Sequence, residues 1–372
     1  MAARIYEAWT SYAGDVAFTI TGPAGWSAGQ QRYLSQHLPG RLGDQDLGSF
    51  HLDVEVDERT CRTLAGHIAR TAYTMVQPTP GVILREARDH DGSRSITPVT
   101  DHLDGLPAAW ALRIQGKRIT LRLDPRASKL HAYPLRMMRE AMLRTYEDNA
   151  GIVFHAAAAD LHGHGVLICG PRHAGKTTLL SCLLRAFDGD LLANDRIIVQ
   201  PSARLIAVPL PVPVGRGTLE AVPELAKVSK RLSRPQPDLS SLPKEFGAAR
   251  KAEFTAREFA RALGGDLTAG SRLSAIVVPQ ICDGDVRPRI QPLQPDQARA
   301  VLEQNCFTPR DEFWQLPWLI PRVTPDEDLH DHARDLINEV AESVPSCVVS
   351  FGTRRPLDEV EAVVARHVRT LL

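Results

Sequence analysis

One run of nine residues, Gly170-Pro171-Arg172-His173-Ala174-Gly175-Lys176-Thr177-Thr178, constrains this chain more than any other. It fits G-x-x-x-x-G-K-[ST] in full, a match expected by chance on the order of 0.005 times in a chain of this length and composition. The two glycines let backbone N–H groups turn inward around an anionic oxygen cluster. A helix starting at Gly175 adds the positive end of its dipole. Lys176 supplies a point charge for the β- and γ-phosphates, and the Thr177 hydroxyl suits Mg²⁺. The flanks agree. Val166–Cys169 is a continuous apolar run, and Leu179, Leu180, Leu183, Leu184 and Phe187 give the following segment one apolar helical face. The spacing therefore predicts strand, phosphate loop and helix, and a nucleoside triphosphate such as ATP, with Mg²⁺, as the ligand.

Around this unit the pattern is α/β. Strands are expected at 153–159, 166–169, 191–193, 197–199, 275–279 and 347–351, and helices at 134–149, 223–232, 256–263, 295–304, 325–343 and 357–371. The first 130 residues read differently. Residues 16–20 and 50–56 alternate, and 111–123 reads as a hairpin about Gln115-Gly116-Lys117; one helix is expected over 58–72. The 372 residues suggest two or three domains. We divide them into a β-rich α+β accessory or substrate-selecting domain over 1–132 and an α/β phosphate-loop domain over 133–372. No internal repeat is visible.

Composition removes several classes. Acidic and basic residues balance at 44 each, which argues against a partner bound through bulk charge, nucleic acid above all. The six cysteines (Cys61, Cys169, Cys182, Cys282, Cys306, Cys347) include no C-x-x-C pair, so reduced, mostly buried thiols are expected rather than zinc or disulfides. No segment approaches 18 consecutive apolar residues, and residues 1–26 lack the pattern of a signal peptide. A cytoplasmic protein with no membrane partner is the expectation.

Leu191-Leu192-Ala193-Asn194-Asp195 places a carboxylate at the end of the strand after the loop, where a second metal contact or a proton acceptor belongs. The alternative is that Asp195 caps the turn into Arg196. The loop is followed by no N-K-x-D motif and no L-S-G-G-Q-like signature, which sets aside GTPases and transporter ATPases. What remains resembles the HPr serine kinase/phosphorylase family and its shorter bacterial relatives. The matching residues are His155-Ala156-Ala157, Gly163-His164-Gly165, Val166-Leu167-Ile168-Cys169-Gly170, the phosphate loop, Leu192-Ala193-Asn194-Asp195 and, more loosely, 209–218, so that the likeness covers mainly 153–218. A weaker likeness extends to 273–279, and the first 130 residues match nothing in that family.

The resemblance implies an HPr kinase/PEP carboxykinase-like fold and an ATP-dependent kinase. Its γ-phosphoryl group would pass to a hydroxyl of a peptide side chain or of a small biosynthetic intermediate. It implies His155 supporting an acidic pair at 194–195, Mg²⁺ on Thr177 and Asp195, a basic residue at Arg216 stabilising the transferring group, and assembly into a homo-oligomer. This chain departs from the pattern at Asn194, where the family has the acid proposed as base. Two outcomes are open: Asp195 takes over the proton, or the site binds ATP·Mg²⁺ with little or no transfer and serves as a regulatory module. A phosphorylase running the reverse reaction is a third.

Other candidates are less constrained. Arg172 and His173, inside the loop, face either the γ-phosphate or solvent. Residues 223–262 carry nine cations against five acids, a net +4, and form either a lid over ATP or an anionic acceptor, or a solvated insertion. His162-x-His164 and His330-Asp331-His332 lack an identifiable third ligand, so no metal beyond Mg²⁺ is expected.

Overall fold

The computed structural model describes residues 5–43, 45–99, 109–127, 130–232, 236–245, 248, 250–310 and 316–372. Residues 233–235, 246, 247 and 249 of the basic 223–262 segment, Arg234 among them, lie outside the described residues. The chain is mixed α/β and divides into two compact units, 1–149 with 309–325, and 150–308 with 326–372.

In the first unit the chain runs β1 (Tyr6–Ala13), β2 (Val16–Pro23), α1 (Ala24–Ser35), β3 (Ser49–Val56), α2 (Glu58–Arg70), β4 (Tyr73–Thr79), β5 (Val82–Arg88), β6 (Arg94–Pro98), β7 (Trp110–Gln115), β8 (Arg118–Leu123) and α3 (Ala132–Glu147). One eight-stranded sheet results, in the order β1-β2-β3-β8-β7-β6-β5-β4. The alternation that identified β2 and β3 is the burial pattern itself, Phe18, Ile20, Leu52 and Val54 facing in. Asp57 caps α2, its carboxylate accepting the Thr60 N–H at 2.9 Å. The helix then seats Cys61, Leu64, Ala65 and Ile68 against Ala87 and Ala111. Strands β4–β6 escape the sequence reading because Pro78, Thr79, Gly81 and the Asp91-Gly92 turn interrupt any long alternation.

The domain boundary expected at 132/133 falls after Asn149. Helix α3 belongs to the first unit, because its face is used there: Tyr146 Oη accepts the Asp15 N–H at 2.9 Å, and the His131 carbonyl accepts from Gln30 at 3.2 Å. Residues 309–325 return to the same unit. Arg322 reaches buried Glu147 at 3.0 Å, and Arg94 donates to the carbonyls of Trp318 (2.7 Å) and Leu319 (2.9 Å).

The second unit comprises β9 (Ile152–Phe154), β10 (Ala156–Leu161), β11 (His164–Cys169), α4 (Lys176–Phe187), β12 (Asp190–Ala193), β13 (Ile197–Gln200), β14 (Arg204–Ala207), β15 (Val212–Val214), α5 (Arg216–Ala221), α6 (Pro223–Ser229), β16 (Ala252–Phe254), α7 (Ala256–Ala262), β17 (Gly270–Cys282), β18 (Arg289–Pro292), α8 (Pro295–Gln304), α9 (Asp326–Ser343), β19 (Ser346–Gly352) and α10 (Leu357–Leu371). Its main sheet runs β12-β10-β11-β17-β14-β13-β9, with β19 on the later half of β17 and β18 outside β19. Alternate residues of the central strands feed two cores. Ala157, Val166, Ile168, Ala275 and Val277 pack with α4 and α10, whereas Ala156, Leu167, Cys169, Ile276 and Val278 pack with α8 and α9. That is a helix–sheet–helix sandwich, which explains why these strands read as unbroken apolar runs. The strand expected over 153–159 is two strands, β9 and β10, broken at His155; β9 pairs with β13 and β10 with β11 and β12. Among the described residues no helix is long and apolar enough to cross a membrane.

Candidate functional site

Strand β10 lies antiparallel between β11 and β12, with Ala156 opposite Cys169 and Ala158 opposite Ala193. The start of β10 and the ends of β11 and β12 therefore share one edge of the sheet. His155 leads into β10 at this edge, the phosphate loop leaves from Cys169, and Asn194-Asp195 continue the chain from Ala193. Three segments far apart in sequence meet because of strand direction alone. A one-residue slip between Ala158 and Ala159 leaves Leu192 as an extra residue of β12 just before this corner, the kind of bulge that re-aims side chains beside a site.

The loop folds as its glycines require. Gly175 holds φ +101°, a left-handed conformation from which α4 starts, and a Cβ there would lie 2.4 Å from Ile281 Cδ1. His173 is also left-handed, at φ +67°. Lys176 is buried, and its ammonium donates to the Gly170 carbonyl at 2.7 Å and the Pro171 carbonyl at 3.1 Å. Burial first, then the charges of Arg172 and Lys251, push its pKa down against the pull of Asp195. Cys169, immediately before the loop, is fully buried, which pushes its thiol up to about 12 and keeps it neutral. Arg172 and His173 are exposed at the loop's tip. His173 is held below its ordinary pKa by burial and by the neighbouring charges of Lys251, Arg172 and Lys176.

Opposite the loop, the Thr177 hydroxyl donates to Asn194 Oδ1 at 3.0 Å. Asp195 Oδ1 is 3.4 Å from His155 Nε2, and Oδ2 is 3.6 Å from an Arg196 guanidinium nitrogen. Partial burial would raise the Asp195 carboxyl. The contact with His155 and the charges of Arg196 and Lys176 outweigh it and hold the group well below the usual carboxylate range. The carboxylate is thus permanently ionised at neutral pH. Such a group orients a hydroxyl or a metal-bound water well but is a weak Brønsted base.

Sequence reading missed the residue that fixes His155. The 305–307 segment after α8 crosses the break between β9 and β10: the His155 N–H donates to the Asn305 carbonyl and the Phe307 N–H to the Val153 carbonyl, both at 2.8 Å. The Phe307 ring then stacks on the imidazole, centroids 5.3 Å apart and planes 12° apart, and the Arg196 guanidinium lies 5.7 Å from the same ring. No linear pattern announces a lone Phe more than a hundred residues downstream. Thr218 is a second such residue, its hydroxyl 2.9 Å from that of Thr178.

Arg216, the basic residue expected to stabilise the transferring group, has local partners. Its guanidinium donates to Glu220 at 2.7 Å and to the carbonyls of Leu242 (3.2 Å) and Ser240 (3.4 Å), bracing the 216–242 segment. A described cation from that part of the chain whose charge reaches the loop is Lys251. A cavity of about 810 Å³, lined by Arg185, Glu224, Leu263, Arg355, Asp358 and Glu361, lies at the far end of α4 and includes no loop residue.

Among the described residues no group of three or more His, Cys, Asp or Glu is placed to hold a metal. Mg²⁺ asks for less, one or two protein oxygens completed by water and phosphate. Thr177 Oγ1 with Asn194 Oδ1 beside it, and the ionised Asp195, are hard oxygen donors of that kind. Set against known proteins, no family model matches this chain, and no curated protein matches it, so the likeness to HPr serine kinases rests on the residues quoted for it.

Proposed function

We propose that the second unit is an ATP-dependent phosphotransferase, an HPr kinase-like enzyme that passes the γ-phosphoryl group of ATP to an alcohol hydroxyl. The observation that carries this reading is the meeting, at one sheet edge, of a complete phosphate loop with an ionised Asp195 braced by His155. In the proposed site, residues 170–178 wrap the phosphates with backbone N–H groups, and Lys176 exchanges its carbonyl partners for β- and γ-oxygens. Bound Mg²⁺ would be held through Thr177 and Asp195 and would neutralise phosphate charge. Asp195 accepts a hydrogen bond from the acceptor hydroxyl, directing its lone pair at phosphorus. The bond from the γ-phosphorus to the bridging oxygen breaks as the new P–O bond forms, and ADP leaves with that electron pair. The proton passes to Asp195 or solvent only then, which a loose transition state permits even with a weak base. His155 holds the carboxylate in place and stabilises its charge. Asn194, where the family carries an acid, keeps the Thr177 hydroxyl aligned by accepting from it.

The test is transfer of label from γ-labelled ATP to candidate hydroxyl-bearing peptides and metabolites, with calorimetry of Mg·ATP binding. Lys176→Ala is expected to abolish binding and transfer, and wild-type turnover in that variant would refute the assignment. Asn194→Asp separates the enzyme from a regulatory nucleotide module. A loss of transfer in it means that the amide is fitted to the chemistry. A large gain means that the present chain mainly binds nucleotide.

A further inference from the structure

A cation that belongs to neither the phosphate loop nor the family pattern stands beside the loop. Strands β15 and β16 pair antiparallel, Val214 opposite Ala252. Lys251 directly precedes Ala252, and Gly215, the residue from which α5 starts, directly follows Val214. That helix is tied to the loop by the Thr218–Thr178 hydroxyl contact at 2.9 Å. The β15–β16 pair thus brings Lys251 to the side of α5, and its charge acts on both Lys176 and His173. Among the described residues no carboxylate lies within ion-pairing distance of Lys251.

Arg172 and Lys251 therefore both set positive charge against Lys176, whose ammonium Asp195 supports. Like charges held together cost free energy until a polyanion enters. A diphosphate in the loop satisfies Lys176 through its β-phosphate. Lys251 arrives from a separate segment, and its charge reaches both His173 and Lys176, the residue that meets the β- and γ-phosphates in such loops.

We propose that Lys251 is a specificity residue that reads the terminal phosphate, making this site selective for a nucleoside triphosphate over a diphosphate. This rests on the nucleotide reading above. It also narrows the lid expectation for residues 223–262 to one side chain and one ligand group, the γ-phosphate rather than an anion on the acceptor.

Calorimetry of the full chain with Mg·ATP and with Mg·ADP, no acceptor present, tests it. Lys251→Ala is expected to weaken Mg·ATP binding about tenfold and Mg·ADP binding less than about twofold, with Lys251→Arg close to wild type. An equal loss for both nucleotides would show only a general field or a folding defect and overturn the proposal. Unchanged Mg·ATP affinity in Lys251→Ala would overturn it in favour of an acceptor-borne anion. Wild-type protein that binds neither nucleotide would remove the nucleotide reading itself, an outcome distinct from a wild type that binds ATP and a Lys251 variant that binds it equally well.

Discussion

At Asp195 two opposing effects meet. Burial raises the carboxyl, and the His155 contact with the nearby cations lowers it further than burial raises it. The sign of the consequence is fixed. A carboxyl whose folded pKa lies below its unfolded value of about 3.9 contributes stability above that value and loses it as pH falls through the folded pKa. The difference in Tm between wild type and Asp195→Asn should therefore hold from pH 7 to about pH 4 and shrink below it. Thermal melts of both proteins across that range check this; a difference as large at pH 3 as at pH 7 would contradict it. Lys176, Thr177 and Asp195 were singled out in advance from short motifs, and the structure brings Thr177 to Asn194 and Asp195 to His155. Phe307 was not legible, since a phenylalanine's partner is chosen by packing and leaves no trace in its neighbours.

The strand–loop–helix element formed by β11, 170–175 and α4 depends on one backbone conformation. Gly175 at φ +101° with Ile281 packed where a Cβ would go admits no side chain without strain. Gly175→Ala is expected to cost about 1–2 kcal/mol from conformation alone, more with the clash, and to remove the nucleotide binding proposed above. Adding Ile281→Ala relieves the contact but not the φ penalty, so it should recover only part of the loss. Denaturant melts of the single and double variants measure both terms. Most elements with a clear period were visible in sequence: α8 and α10 span the ranges expected for them, 295–304 and 357–371. Strand β16 was not, being only three residues long and defined by its pairing with β15.

On the scale of the molecule, the first unit is closed by a segment that leaves and returns. Glu147 is fully buried between Arg144, 2.5 Å away, and Arg322 at 3.0 Å. Burial pulls Arg144 down to about 10 even with Glu147 and Glu140 supporting its charge. Removing the shared carboxylate takes a buried ion-pair partner from both guanidinium groups, so Glu147→Ala should destabilise this unit by about 3–5 kcal/mol. Trp9, Trp26, Trp110 and Trp318 all lie in this unit, so tryptophan fluorescence during urea unfolding reads it directly. A shift of under about 1 kcal/mol would mean that the network is not holding the returning segment.

The sequence by itself determined the glycine turn at 170–175 between strand and helix, the periodic helices and the α/β character of the second unit, because these are set by contacts within a few residues: backbone conformation at glycine and a repeat of apolar positions. Only the tertiary structure decided where the units divide, that His155 sits in a break between two strands, that Phe307 packs on it, that Lys251 stands by the loop, and that Arg216 braces its own segment instead. Each of those depends on strand direction, register or the return of a distant segment, and the free energy that selects them comes from burying surfaces that are not adjacent along the chain.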